Sequence, residues 1–148
     1  MIQLAQHSFC PTARTVRTAR DFAMRVLDSW GGCARREDIR VCVSEMAGNA
    51  VVHGARDGRG YVIRIALYAH CVHLEVSDER SGGPVRPVLP AADETGGRGL
   101  FIVQALSDDW GVDACLPAGK VVWTCFRRPG PGTRCCSRPA RTGTPTPA

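Results

Sequence analysis

From Asp38 onward apolar residues recur at spacings of three and four, at Ile39, Val43, Met46, Ala47, Ala50 and Val51. That period predicts an amphipathic helix from about Arg36 to Val52, entered through Glu37-Asp38 and stopped by Gly54. The same period at Val16, Ala19, Ala23, Val26, Leu27 and Trp30 predicts an earlier helix, with Thr12 as its N-cap and Gly31-Gly32 as its end. Ahead of it, residues 2 to 9 give a weak strand signal, read as a short edge strand. Residues 61 to 69 and 71 to 78 alternate with period two and predict a hairpin turning at Ala69-His70, with Arg64, His73 and Glu75 on its solvated face. A second hairpin is predicted from Trp110–Leu116 and Lys120–Phe126, turned by Pro117-Ala118-Gly119.

Between the hairpins, Glu79 to Gly99 carries Gly, Pro and charge without periodicity and is read as a long loop. A short helix, Leu100–Leu106, follows directly after Gly96-Gly97-Arg98-Gly99. After Phe126 the composition turns to Pro, Gly, Thr, Ser and Arg, too poor in apolar surface to offset the entropy of ordering. The expected organisation is one domain over residues 1–127 and a disordered Pro/Arg-rich tail over 128–148.

Composition changes this picture in three ways. At 148 residues the chain has room for a single domain with a sizeable core. The net charge of +5 suggests a polyanion partner until its distribution is considered. Arg127, Arg128, Arg134, Arg138 and Arg141 lie in the last 22 residues, and taking these five from the 19 Lys and Arg leaves 14, matching the 14 Asp and Glu. The body is formally neutral, and direct nucleic-acid binding is not expected. The eight cysteines are mostly scattered singly in apolar segments, with no C-x-x-C pair and no zinc spacing, and are expected to be reduced; Cys135-Cys136 in the tail is the one adjacent pair. With no visible secretory leader and no bilayer-length apolar run, a cytoplasmic protein without membrane contact is expected.

Candidate chemistry lies at three points. Glu45, Asn49 and His53 are four apart and stack on one stripe of the second helix. A carboxylate and an amide beside an apolar face are either solvated or hold something, because burial without partners costs about 1 to 3 kcal/mol for each neutral group and more for a charge. Asp78 ends a strand, where it either caps a turn or accepts from the exocyclic amine of a base. Gly96, Gly97 and Gly99 precede a helix start. There they are either a plain linker or a place where backbone N–H groups and the helix dipole meet an oxyanion.

In this order and separation the three points resemble the nucleotide-binding boxes of the GHKL ATPase superfamily, the Bergerat fold. The likeness is to its anti-sigma factor serine/threonine kinase branch, including the short ATP-binding regulators of actinomycetes. Glu45 to Gly54 matches the N box, Asp78 to Gly83 stands at the first glycine box, and Gly97-Arg98-Gly99-Leu100 matches the second. Trp110-Gly111 and Gly119-Lys120-Val121-Val122-Trp123 also look like that branch, so the resemblance covers about residues 10 to 127. One departure is Arg80, where the family's first box has glycine two residues after the aspartate; here the glycines are Gly82 and Gly83.

The resemblance implies an α+β fold, a two-layer α/β sandwich whose mixed, mostly antiparallel sheet of about four or five strands is covered on one face by about three helices. It implies ATP and Mg²⁺ as cofactors, with Asn49 a ligand of the ion, Glu45 the group that orients or deprotonates the attacking hydroxyl, and Asp78 the acceptor for the adenine amine. His53, Gly82, Gly83, Gly97, Arg98, Gly99 and Leu100 would complete the nucleotide site. The implied partners are a small anti-sigma factor antagonist-like protein, phosphorylated on Ser or Thr, and an RNA polymerase sigma factor held inactive. Related kinases are often dimers, so a homodimer is among the expectations. Two other readings remain: a nucleotide-dependent binding module without turnover, and the catalytic domain of a sensor histidine kinase. The latter lacks a dimerising helix with a phosphoacceptor His, since residues 1 to 35 offer only His7.

Overall fold

Among the described residues three helices and six strands form, most of them where period and turn chemistry direct them, in the order β1 (Gln3–Phe9), α1 (Ala13–Ser29), α2 (Arg36–Ala55), β2 (Tyr61–Leu67), β3 (Cys71–Asp78), β4 (Val85–Pro87), α3 (Gly97–Leu106), β5 (Asp109–Cys115) and β6 (Lys120–Arg127). The computed structural model describes residues 1–55, 58–78, 85–87, 97–115 and 119–129, apart from the side chains of 55, 85–87, 97, 98, 114 and 115. Arg80, Gly82, Gly83, Cys135-Cys136 and residues 130–148 of the expected tail lie outside the described residues.

The strands make one sheet in the order β1-β2-β3-β6-β5-β4, and all its pairings are antiparallel. The first hairpin turns where the alternation places it, with the Tyr68 N–H donating to the Cys71 carbonyl at 2.8 Å around Ala69-His70. Phe9, Ile63, Ile65, Leu74, Val76, Val122 and Phe126 face the helices and pack against Ala19, Leu27, Ile39, Val43, Met46, Ala47 and Val103. This is the two-layer α+β sandwich the resemblance implies, with two corrections. The described sheet has six strands rather than four or five, because Val85–Pro87 within the presumed structureless loop pairs with β5; and no described pairing is parallel.

Helix boundaries differ locally. Thr12 precedes α1 in extended conformation, but its side chain makes no capping bond. Thr15 Oγ1 instead lies 2.8 Å from both the Cys10 and the Thr12 carbonyls, which share its one donor hydrogen, and 2.7 Å from the Tyr61 hydroxyl. Gly54 does not stop α2, which continues to Ala55; the Gly54 carbonyl accepts from Arg59 N–H at 3.0 Å. Gly97-Arg98-Gly99 do not precede α3 but form its first turn.

The other sheet face overturns one expectation. His73 and Glu75 are 3% and 7% exposed rather than solvated. The Trp123 ring lies against His73, centroids 5.8 Å apart and 17° from parallel, and is flat over Gly111, where a Cβ would sit 2.7 Å from the indole. Expected reduced thiols are found at Cys10, Cys33, Cys42 and Cys125, and burial pushes the Cys42 thiol up to about 12. Cys71 is disulfide-bonded, which corrects the expectation of uniformly reduced cysteines. Among the described residues no helix is long and apolar enough to cross a membrane.

Candidate nucleotide site

The site is built where α2 crosses the ends of β3 and β6. Glu37 and Asp38 in the first turn of α2 complement the helix dipole, and His53 stands in its last turn. Ile39, Cys42, Val43, Met46 and Ala47 bury themselves in the domain, which fixes the rotation of the helix. The neighbouring stripe of Glu45, Asn49 and His53 is half-buried. On β3, Asp78 follows Val76 by two residues and so shares its helix-facing side. A small hollow, open to solvent, lies between these elements and is lined by Met46, Asn49, Ala50, His53, Val76, Asp78, Lys120 and Val122. An apolar wall with a few convergent polar groups is the usual construction of a small-molecule site.

Two glycines shape the approach. Gly119 has φ +109°, and a Cβ there would lie 2.6 Å from Asp78 Oδ1, so only glycine lets β6 begin against that carboxylate. At Gly99, in the first turn of α3, a Cβ would lie 3.0 Å from Glu45 Oε2 and 3.8 Å from Glu45 Cβ. The start of α3 therefore rests on the Glu45 side chain, and its positive dipole end is brought to the same region.

Of the residues singled out in the sequence, the structure brings Asn49, His53 and Asp78 onto one cavity. Glu45 is one helical turn before Asn49 and faces Gly99 rather than lining the hollow. Gly97 and Arg98 are in the first turn of α3. Leu100 turns its side chain into the core, leaving its backbone for any ligand contact. Gly82 and Gly83 lie outside the described residues.

Lys120 is the polar lining residue that sequence reasoning missed. Its Nζ donates to Asn49 Oδ1 at 3.1 Å across 71 residues of chain. A signal was present: it is the single lysine among 19 basic residues, directly after a glycine at a strand start.

The donor set suits a hard divalent ion held jointly by protein and phosphates. Asn49 Oδ1 is a neutral oxygen that already accepts a cationic donor at the cavity. Among the described residues no group of three or more His, Cys, Asp or Glu could hold a metal. A magnesium ion here would take one protein oxygen and complete its shell from phosphate and water, as that ion commonly does.

Comparison with known proteins agrees with the geometry. The family model described as a histidine kinase-like ATPase domain matches residues 9–126. The serine-protein kinase RsbW of Oceanobacillus iheyensis is 34% identical over 86 residues, covering 49% of this chain and 54% of that protein. The chain thus spans about half the length of this curated relative.

Proposed function

Because the chain belongs to the histidine kinase-like ATPase domain family, we propose that it is an ATP-binding regulator that binds Mg-ATP between α2 and β3 and transfers the γ-phosphate to a Ser or Thr of a small partner protein. The observation that carries this reading is the shared cavity of Asn49 and Asp78, an amide on a helix and a carboxylate at a strand end. Asp78 accepts from the exocyclic amine of adenine, while Met46, Ala50, Val76 and Val122 supply apolar contact for the base. Asn49 gives its amide oxygen to Mg²⁺, and the first turn of α3 offers backbone N–H groups to the phosphates. The bound ion supplies charge neutralisation for the transferring phosphoryl group. Glu45, one turn from Asn49, orients the incoming hydroxyl and takes its proton.

The similarity to a protein named as a serine kinase supports Ser or Thr as the acceptor. In this reading the acceptor is an anti-sigma factor antagonist-like protein, a sigma factor is the sequestered target, and the chain works in the cytoplasm, as a homodimer. One observation favours a second reading, nucleotide-dependent partner binding without turnover: Glu45 packs against Gly99 instead of lining the hollow.

Calorimetric titration with ATP and transfer of label from γ-labelled ATP to the candidate partner test both readings. Asp78→Ala is expected to weaken ATP by at least about tenfold, the loss of roughly one well-placed buried hydrogen bond. Glu45→Ala is expected to bind ATP normally and to abolish transfer. Transfer that survives in Glu45→Ala removes that residue from the chemistry, and wild-type binding without transfer selects the second reading.

A further inference from the structure

We propose that Lys120 is a resident cation of the nucleotide pocket: its ammonium rests on Asn49 Oδ1 in the empty site and turns to the triphosphate when ATP enters, standing in for the divalent ion, so that ATP binds this chain even without metal. The inference rests on the ATP reading above and adds to it a residue and a metal dependence.

Lys120 Nζ lies 3.1 Å from Asn49 Oδ1, and both side chains line the same hollow. An amide oxygen offers its lone pairs to an N–H donor or to a hard metal ion in the same directions, so the two are alternative partners of one atom. Among the described lining residues Lys120 carries the fixed positive charge, opposed by the single carboxylate Asp78. A triphosphate entering this half-buried space needs countercharge, and an ammonium with three donors on a flexible stem can swing to meet it.

The test measures ATP affinity with excess EDTA and with Mg²⁺, for the wild-type chain, Lys120→Met and Lys120→Arg, each first shown to be folded by circular dichroism. Lys120→Met is expected to weaken metal-free ATP by at least about tenfold and Mg-ATP by less than about threefold, with Lys120→Arg recovering most of the metal-free affinity. Equal weakening under both conditions, or no change in either, overturns the proposal while leaving the ATP reading intact. A wild-type chain that binds ATP under neither condition removes the ATP reading itself, and this inference with it.

A second measurement needs no variant. The chain has one lysine, so reductive ¹³C-methylation, which preserves the charge, gives one ε-amine resonance to follow by NMR. That resonance is expected to move to different positions with ATP in EDTA and with Mg-ATP. A resonance unmoved by either, in protein that binds both, overturns the proposal.

Discussion

At Gly119 the backbone has φ +109° and stands against the carboxylate of Asp78. Gly119→Ala places an L side chain in the left-handed region, at a cost of about 1 to 2 kcal/mol, and drives its Cβ to 2.6 Å from Asp78 Oδ1. The expected outcome is a lowered urea midpoint together with ATP binding weakened about as much as in Asp78→Ala, since the methyl displaces the carboxylate proposed to accept from the base. Wild-type ATP affinity in that variant would show that Asp78 does not read the base. At this scale the sequence revealed residues whose spacing is local and hid those defined by distant neighbours. Glu45, Asn49 and His53 were legible because helical geometry alone stacks them. Lys120 was not, because its partner Asn49 is 71 residues away and is met only through the sheet. His73 and Glu75 were misread for a related reason: alternation assigns a face, but it cannot show that Trp123, lying flat over Gly111, closes against His73.

Among the elements, the start of α2, the turn after α3 and the end of β6 are tied by one clip. Arg35 donates to Asp38 at 3.0 Å, to Asp108 at 2.6 Å and to the Leu106 carbonyl at 2.6 Å, and its guanidinium lies 5.5 Å from the centroid of Phe126. The same Asp108 oxygen accepts from Arg127 N–H at 2.7 Å. Arg35→Ala leaves a half-buried carboxylate and carbonyl with fewer donors, and is expected to cost about 2 kcal/mol in urea unfolding. Burial pushes the Asp108 carboxyl up, but the Arg127 N–H and the Arg35 guanidinium outweigh it and hold the carboxyl below its ordinary 3.8. A carboxylate lowered in the folded state stabilises fully above its unfolded value of about 3.9, and that stability is lost as pH falls through the lower folded value. Acid titration of Asp108→Asn is therefore expected to show a shallower loss of stability below about pH 4 than the wild type; an unchanged acid limb would contradict this assignment. The long periodic elements were legible to within a few residues. The strand Val85–Pro87 was not, because three residues carry no period and their pairing comes from the facing β5.

For the molecule as a whole, a ligand that binds only the folded state should raise its stability by mass action. Mg-ATP at 100 times its dissociation constant adds about 2.7 kcal/mol, a rise of roughly 10 °C in Tm for a domain of this size. A thermal scan with millimolar Mg-ATP that shows no shift would remove nucleotide from the account. The two-layer architecture was legible because two period-two hairpins and two period-3.6 helices leave few ways to bury their apolar faces. The order in which the hairpins join was not written in either one. Asp78 closes the first and Lys120 opens the last strand of the second, and the two are neighbours only through the β3–β6 register that sets Cys71 opposite Arg127 and Ser77 opposite Val121. That seam closes a long excursion of chain, the slow and entropically expensive kind of contact in a folding reaction. A newly made chain whose hairpins have formed but not zipped together has no place for a nucleotide, so ATP cannot template the assembly of this domain and can only lock it once the seam is shut.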